Sequence, residues 1–242
     1  MRDTYSLSVV LCAVDETFSL RETFNGIDRF HLADEYLFVL SQTCTDGCLQ
    51  TVKEICTRED CRYIIQSGRG FGNAIRDGIF AVKGDHILLW SADGATNSEA
   101  YPELVRLSRE NPDAIVTVSR WLSDDGFPGY NPIRKMVNRI SQKMFAMLYR
   151  SSQTDLTNPT QIAPTALYRS IRWEQDGFDF LPELIFKPIR LGARFIEVPG
   201  KCLPRQEGES HSSFRELVLY YVRILHIYRM DRGEIIRQEE QS

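Results

Sequence analysis

Short apolar runs rich in Val, Ile and Leu alternate with amphipathic segments through the first half of the chain. Apolar runs bounded by turn residues are typical of buried strands, whereas apolar positions repeating every three or four residues are typical of helices. Strands that alternate with helices form βαβ units, so we predict an α/β fold with a mainly parallel sheet sandwiched by helices. The predicted strands span residues 6–14, 35–41, 62–67, 86–91 and 114–119, and the predicted helices span 19–29 (with Ser19 as N-cap), 46–55, 70–82 and 101–110.

The second half of the chain has a less regular pattern. Residues 120–130 are rich in Gly, Asp and Pro, and this composition predicts a loop. Pro132 then begins a long helix that we expect to end near Arg150, because proline suits the first turn of a helix. No segment has the composition of a long linker, so we predict a single domain over residues 1–242. The remaining predicted elements are a strand at 157–163, a helix at 181–189 bounded by Pro182 and Pro188, a strand at 194–198 and a final helix at 212–230.

Charge and hydropathy exclude several classes of protein. The chain has 29 Lys and Arg against 33 Asp and Glu, a net charge of −4, which argues against general nucleic-acid binding. No apolar run approaches the roughly 18 residues that a spanning helix needs. The first apolar run leads directly into Asp15 and Glu16 without a small-residue cleavage site, so we interpret it as a strand and not as a secretion signal. We therefore expect a cytoplasmic protein.

Four of the six cysteines, Cys44, Cys48, Cys56 and Cys61, fall within 18 residues of one another. Structural zinc sites usually contain a pair of cysteines separated by two residues, and the sequence has no such pair. We interpret the cysteines as free thiols of a reducing compartment.

The carboxyl ends of the predicted strands are where ligands bind in sheets of this type. The segment GRGFG at residues 68–72 follows a strand and opens a helix, so its amides either face an anion or form a tight turn. Asn73 stands where the dinucleotide-binding fingerprint needs its third glycine, and the phosphate-loop motif is absent. Asp93 follows another strand, where a carboxylate either holds a divalent cation or closes an Asx turn.

Further charged residues lie in the second half. Arginine is the natural ligand of phosphate oxygens, and Arg134 lies four residues before Asn138 and hence on the same face of the Pro132 helix. A solvent-exposed helix face is the alternative interpretation. Asp155 and Glu183 are isolated carboxylates, each of which is either a general base or the partner of a cation.

The order of several short motifs resembles the family 2 glycosyltransferases, and most closely the dolichyl- and polyprenyl-phosphate sugar transferases. The likeness covers roughly residues 6–223. Along the chain it comprises CAVDE at 12–16, SQTCTDG at 41–47, Gly68-Arg69-Gly70 with Ala74 and Gly78, AVKGDHILLWSADGATNSEAYPEL at 81–104, Arg120, Arg134, Asp155-x-Thr157, FDFLPEL at 178–184, Gly192, Glu197-Val198-Pro199 and Arg205-x-x-Gly208-x-Ser210.

The resemblance implies a GT-A fold and a nucleotide-sugar donor bound by residues 1–119. Asp93 would hold Mg²⁺ or Mn²⁺ on the donor diphosphate, and Arg205 would steady the departing diphosphate. The residues that the resemblance places around the nucleotide sugar are Cys12, Ala13, Val14, Asp15, Glu16, Ser41, Gln42, Arg69, Ser91, Ala92, Asp93 and Arg205.

The resemblance also implies an acceptor half over residues 120–211, with inversion at the anomeric carbon. Arg120, Arg134 and Asn138 would bind the phosphate of a polyprenyl (dolichyl) phosphate. If the acceptor were a sugar hydroxyl instead, Asp155 or Glu183 would be the candidate base.

The remaining part, residues 212–242, is expected to form an amphipathic helix and a tail. The stretch from Phe214 to Met230 is apolar but interrupted by arginines, so it would cover the sheet, bind a partner subunit or lie in a membrane interface. The last alternative would make the protein peripheral at the cytoplasmic membrane face.

Departures from the family pattern keep two other functions open. Ser91 replaces the first Asp of the family's Asp-x-Asp motif, and Ser41 or Gln42 replaces the aspartate expected at the second strand end. Residues 158–164 read NPTQIAP where the family has Gly-Phe-Arg. One alternative is a transfer to a soluble sugar or metabolite, and the other is a degenerate GT-A protein that only binds a nucleotide or a partner.

Overall fold

The structure is a computed structural model that describes residues 5–204 and 214–237. Arg205 and the start of the predicted final helix lie outside the described residues. The strands are β1 (Leu7–Ala13), β2 (Glu35–Leu40), β3 (Cys61–Ile65), β4 (His86–Ser91), β5 (Ile115–Ser119), β6 (Gln161–Pro164) and β7 (Phe195–Pro199). The helices are α1 (Phe18–Asp28), α2 (Asp46–Ile55), α3 (Phe71–Ala81), α4 (Tyr101–Glu110), α5 (Pro132–Tyr149), α6 (Thr165–Ser170), α7 (Phe180–Leu191), α8 (Phe214–Arg229) and α9 (Arg232–Ile235).

The strands form one seven-stranded sheet in the order β3-β2-β1-β4-β6-β5-β7. β6 runs antiparallel to both of its neighbours, and the other strand pairs are parallel. This confirms the predicted α/β fold and its mainly parallel sheet. The central strands β1, β2 and β4 are apolar and almost wholly buried, as expected for strands that are covered on both faces.

Helices cover both faces of the sheet, and each face has its own apolar core. On one face α1, α2 and α4 contribute side chains such as Leu20, Val52 and Leu104. On the other face α3, α5, α7 and α8 contribute side chains such as Phe145 and Ile224. No helix in the described parts of the chain is both long and apolar enough to cross a membrane.

Helix α1 begins at Phe18 after Thr17, so the prediction of Ser19 as N-cap is wrong, and Ser19 is buried inside the helix. The prediction that Pro182 and Pro188 bound a helix is also wrong, because both lie within α7. Pro182 is in the first turn, where a backbone N–H has no partner inside the helix to lose. Pro188 is close to the carboxyl end, which Gly192 closes with a φ of +85°.

The turn between β3 and α3 requires glycine at position 70. Gly70 has a φ of +95°, and a Cβ atom there would lie 2.2 Å from the backbone oxygen of Asp176. The Gly70→Ala variant should therefore lose about 1–3 kcal/mol of unfolding free energy, or more, in urea denaturation. A Cβ atom at Gly233 in α9 would meet nothing within 4 Å, so Gly233→Ala is the matched control. Equal losses in both variants would contradict a specific requirement at position 70.

Candidate active site

Residues 12–16 and 41–42, at the carboxyl ends of β1 and β2, form one hydrogen-bonded surface that we call the ledge. The amide of Ser41 donates to the carbonyl oxygen of Ala13 (3.0 Å), and that of Thr45 donates to Val14 (3.1 Å). The Glu16 carboxylate folds back and accepts hydrogen bonds from the amides of Val14 (2.8 Å) and Asp15 (3.2 Å). Residues 12–16 and 41–42, which the family resemblance predicts to surround the donor, therefore lie together at this edge of the sheet.

Gln42 extends the ledge to β3, since its amide nitrogen donates to the carbonyl oxygens of Gln66 (3.2 Å) and Ser67 (3.0 Å). Arg69 follows on the exposed part of the same turn. The amides of Gly72 and Asn73 at the start of α3 both donate to the backbone oxygen of Asp176 (2.8 and 3.4 Å). Because a protein carbonyl takes these donors, the geometry favours a tight turn over an anion-binding helix end.

Asp93 lies two residues beyond β4, next to the end of β1, because Ser91 pairs with Cys12 in the sheet register. Its side chain is largely buried, with 8% of the residue exposed. One carboxylate oxygen accepts hydrogen bonds from the Ser91 hydroxyl (2.5 Å) and from the Ala95 amide (3.0 Å). Ser91, Ala92 and Asp93 therefore form a short, fixed turn against the ledge.

The segment after β7 passes along this turn. The amide of Leu203 donates to the carbonyl oxygen of Ala95 (2.7 Å), and the amide of Cys202 donates to Gly126 (2.9 Å). Arg205 lies two residues after Leu203 in the sequence. Its predicted role beside Asp93 stays a prediction, because Arg205 lies outside the described residues.

Arg120 and Asp155 form a buried ion pair at the end of β5. The guanidinium donates to both carboxylate oxygens (2.7 Å each) and to the Thr157 hydroxyl (2.6 Å). The side chains of Arg120 and Asp155 are 13% and 0% exposed. Burial alone would raise the pKa of Asp155, but the Arg120 charge and its hydrogen bonds outweigh burial and hold the pKa below its ordinary value.

Gln142 connects this ion pair to α5. Its amide nitrogen donates to Asp155 (3.2 Å), Thr157 (2.8 Å) and Asn138 (3.3 Å), and its oxygen accepts from the Leu156 amide (2.7 Å). The structure therefore places Asn138 one hydrogen-bonded residue away from the ion pair. Sequence reasoning missed Gln142, although a polar residue four positions after Asn138 on the buried face of an amphipathic helix is a signal for it.

Arg134 lies apart from this network. It is exposed in the first turn of α5, where Asn131 accepts hydrogen bonds from the amides of Ile133 (2.9 Å) and Arg134 (3.2 Å). Of the three residues predicted to bind the acceptor phosphate, the structure brings Arg120 and Asn138 together and leaves the Arg134 side chain in solvent.

The loop between β5 and α5 is held down by aromatic rings and cations. The rings of Trp121 and Phe127 lie 4.5 Å apart, Arg139 lies over Trp121 (4.6 Å), and Lys135 lies over Phe127 (5.2 Å). The loop can close this tightly only at Gly126, where a Cβ atom would lie 1.8 Å from the backbone oxygen of Arg120. These contacts hold the predicted loop in place between β5 and α5.

Glu183 is buried away from these strand ends, in a cluster that joins α7 to α8. Its carboxylate accepts hydrogen bonds from Lys187 (3.0 Å), from Arg223 and from the amide of Glu174 (2.9 Å). Of the two interpretations that the sequence left open for Asp155 and Glu183, the geometry favours the ion-pair partner for both. The structure does not bring Glu183 to the site.

The cysteines of the described residues are all free thiols. Burial, with smaller contributions from Glu16 and Asp77, raises the pKa of Cys12 to about 12, so this thiol stays protonated beside the ledge. Within residues 5–204 and 214–237, no three His, Cys, Asp or Glu side chains cluster as a metal-binding group.

Comparisons with known proteins agree with this geometry. The chain superimposes on glucosyl-3-phosphoglycerate synthase from Mycobacterium tuberculosis, crystallised with Mn²⁺, UDP and phosphoglyceric acid, with a TM-score of 0.68. That match has 16% sequence identity and covers 92% of this chain and 77% of that one. The fold is therefore the GT-A fold of nucleotide-sugar transferases.

The family follows from the sequence. The family model described as Glycosyl transferase family 2 matches residues 8–171, more than half of the chain, and the chain belongs to this family.

Two curated relatives come from Haloferax volcanii. The low-salt glycan biosynthesis hexosyltransferase Agl6 is 24% identical over 214 residues, covering 85% of this chain and 49% of the relative. The glycosyltransferase AglJ is 19% identical over 206 residues, covering 82% of this chain and 64% of the relative. The chain thus spans about half to two thirds of the length of these relatives.

Proposed function

We propose that the protein transfers a sugar from a nucleoside-diphosphate sugar to the phosphate group of a polyprenyl phosphate, with inversion at the anomeric carbon. The family membership and the GT-A fold support the donor. The observation that carries the acceptor is the Arg120–Asp155 ion pair, because it occupies the carboxylate that a hydroxyl acceptor would need as a base.

The donor site is proposed around Asp93, with the ledge of residues 12–16 and 41–42 for the nucleoside. Mg²⁺ in enzymes that act on phosphates is commonly bound by one or two protein carboxylates together with phosphate oxygens and water. A single well-oriented carboxylate beside Ser91 fits this pattern. A bound Mg²⁺ or Mn²⁺ would supply positive charge to the diphosphate, and Asp93 would hold that ion.

The proposed step forms one bond and breaks another. An oxygen of the acceptor phosphate attacks the anomeric carbon of the sugar, and the bond from that carbon to the donor diphosphate breaks with its electron pair leaving on the diphosphate. A phosphate monoester has a second pKa near 6, so it is largely ionised at neutral pH and no proton needs to be removed. The protein has to position the acceptor, a role that we assign to Asn138 and Arg134. It also has to stabilise the negative charge of the leaving diphosphate, a role that we assign to Arg205.

Arg120 is proposed to contribute its positive field to the acceptor phosphate while it stays paired to Asp155. Within the described residues, two of its guanidinium nitrogens bind Asp155 and Thr157, and the third makes no hydrogen bond to protein. That third nitrogen is the group we propose for the acceptor phosphate. An ion pair that is fixed in advance costs no reorganisation when the acceptor binds.

A lipid acceptor is favoured by the surroundings of Arg134. Ile133, Met136 and Val137, which lie beside it on α5, are 68%, 59% and 52% exposed. Apolar side chains around a phosphate-binding arginine suit an acceptor with an apolar chain.

The test separates donor from acceptor. Thermal unfolding is measured with UDP, GDP, CDP and dTDP, each with Mg²⁺, Mn²⁺ or EDTA, and the matching labelled sugar nucleotides are then incubated with detergent-solubilised polyprenyl phosphate. We expect a metal-dependent shift with one nucleotide and a labelled lipid product from its sugar. No shift with any nucleotide would overturn the proposed donor.

The second candidate keeps this donor and uses a soluble acceptor. The observation in its favour is the structural similarity to glucosyl-3-phosphoglycerate synthase, whose crystals contain the small molecule phosphoglyceric acid. Turnover with 3-phosphoglycerate or glycerol phosphate, and none with the lipid, would establish this candidate in place of the first.

Ser91 should set the strength of metal binding at the donor site. In the wild type, the neutral Ser91 hydroxyl donates a hydrogen bond to Asp93. The Ser91→Asp variant replaces this hydroxyl with a second carboxylate. The apparent affinity for Mn²⁺ should rise by roughly tenfold, since cation affinity increases with the number of charged ligands. The measurement is a Mn²⁺ titration of the nucleotide-dependent thermal shift, with Ser91→Asn as the uncharged control. An unchanged Mn²⁺ midpoint would place the cation elsewhere.

A further inference from the structure

Helix α5 exposes a long apolar stripe. Ile133, Met136, Val137, Ile140, Met144 and Met147 are between 50% and 77% exposed. Their spacing of three and four residues puts them all on one face of the helix, in a stripe about 100° wide. A stripe with this period normally faces the core of a protein.

The opposite face of the same helix is the one that packs on the protein body. Gln142, Phe145 and Tyr149 are buried there, and the Tyr149 hydroxyl donates a hydrogen bond to the carbonyl oxygen of Ile224 in α8 (2.5 Å). The helix is therefore apolar on both faces, and only one of them is used by the described residues. A contiguous exposed apolar surface of this kind marks an interaction site.

Charge on α5 is segregated from the rest of the chain. Between residues 132 and 150 there are five basic residues and no acidic residue, while the whole chain has a net charge of −4. The helical period places Arg134 on one flank of the stripe and Lys143 on the other, and both are exposed. Arg150, just after the helix, is exposed as well.

We infer that this face of α5 binds an anionic lipid bilayer, with the apolar stripe in the interface and the flanking cations on lipid phosphates. An apolar face with Lys and Arg at its edges is the arrangement by which interfacial helices bind anionic membranes. A second copy of the chain is a poorer occupant, because a symmetric contact through this helix would bring its cations together without acidic partners.

The neighbouring helix α8 also exposes apolar side chains. It packs beside α5 through the stacked rings of Phe145 and Tyr221, and its side chains Val218, Val222 and Leu225 are 45%, 56% and 45% exposed. The sequence suggested α8 alone for membrane contact. Among the described side chains, the structure places an exposed apolar stripe with basic flanks on α5 as well.

The inference rests on the proposed function in one respect, because membrane binding through α5 would bring the lipid acceptor beside Arg134. Its test measures vesicle binding and requires no sugar transfer. The full chain is sedimented with vesicles of phosphatidylcholine and with vesicles in which phosphatidylglycerol replaces about one third of the lipid. Binding is expected to the anionic vesicles, to weaken as NaCl is raised, and to fall by about tenfold or more in Ile140→Asp/Met144→Asp. Lys143→Glu should weaken it in part.

The matched control is Ile65→Asp, because Ile65 is 49% exposed on β3, the strand at one edge of the sheet. It should bind vesicles like the wild type. Each variant is also checked for its metal-dependent nucleotide shift, which reports the fold and the donor site separately from the membrane.

Two results would overturn the inference. One is the absence of wild-type binding to anionic vesicles while the nucleotide shift is intact. The other is a dimer in light scattering that Ile140→Asp/Met144→Asp converts to a monomer, which would make this face a contact between copies. Failure of the proposed acceptor is recognised independently, by the absence of labelled lipid product from detergent-solubilised acceptor.

Discussion

Replacing Asp93 by Asn should lower kcat/KM for sugar transfer by about 10²- to 10³-fold, as expected when one preorganised charge in an active site is removed. The carboxylate lies at the carboxyl end of β4 with one oxygen fixed by Ser91 and Ala95. An asparagine keeps the oxygen that accepts from Ala95 and loses the negative charge. The turn should therefore survive while the cation is bound weakly.

The measurement joins turnover to nucleotide binding. In the wild type the nucleotide-dependent rise in unfolding temperature is expected to shrink when EDTA replaces Mg²⁺ or Mn²⁺. In Asp93→Asn the shift should be small and equal with and without metal, and the unfolding temperature without ligand should be unchanged.

Asp125 provides a matched control. Its side chain is 66% exposed and pairs with Lys201 at 3.4 Å, so Asp125→Asn removes the same charge from the loop before α5 without touching the turn at Ser91–Asp93. Its kcat/KM should stay within about threefold of the wild-type value, which corresponds to less than about 1 kcal/mol. Equal effects of the two substitutions would show that general electrostatics, and not the Asp93 site, are responsible.

Sequence patterns predicted the sheet well because the signal there is local. The apolar run of β4 and the helical period of α2 each lie within about ten residues, and α2 has the predicted bounds of Asp46–Ile55. The resemblance to family 2 glycosyltransferases then implied the GT-A fold, which the structure confirms, and a donor site at residues 12–16 and 41–42, which stays a prediction. Neither step depends on which distant side chains meet.

The partners of buried charges could not be predicted in this way. The sequence left Asp155 and Glu183 as equal candidates for a base, because a lone carboxylate looks the same before its partner is known. Arg120 lies 35 residues from Asp155, and Arg223 lies 40 residues from Glu183. Only the tertiary fold brings these cations to the carboxylates and turns both candidates into ion pairs.

The apolar stripe of α5 was missed for a related reason. Periodicity identifies Ile133, Ile140 and Met144 as one face of a helix, and such a face is normally buried. Which of two apolar faces is buried depends on where the helix sits on the sheet. The structure answers this through Gln142 and Phe145, which occupy the buried side.

Replacing Lys187 by Met should cost about 3–5 kcal/mol of unfolding free energy, because it removes one partner of a buried charge pair. The Lys187 and Glu183 side chains are both 0% exposed, and their charged atoms lie 3.0 Å apart. Lys187 also donates a hydrogen bond to Glu174 (3.1 Å). Burial alone would raise the pKa of Glu174, but the nearby Lys187 and Arg223 hold it below its ordinary value. Glu183 and Glu174 would then share Arg223, with the largely exposed Arg172 as a further partner of Glu174 at 3.8 Å, and urea denaturation should show the loss.

The exposed pair between Arg106 and Glu110 is the control for charge removal itself. It has the same four-residue spacing, with side chains that are 52% and 54% exposed. Arg106→Met should leave the urea midpoint almost unchanged, since water and salt screen an exposed pair. A comparable loss in both variants would contradict the assignment of the Lys187 effect to burial.

A double variant then separates an unpaired charge from a simple packing defect. Glu183→Gln combined with Lys187→Met removes both charges of the pair and leaves Arg223 with its partner Glu174. If the cost of Lys187→Met is an unpaired carboxylate, the double variant should recover about 1–3 kcal/mol of it. If the cost is lost packing, the two substitutions should add. Recovery would establish that Glu183 works as the buried anion that fixes α8 on α7, and this would remove it from the set of candidate bases.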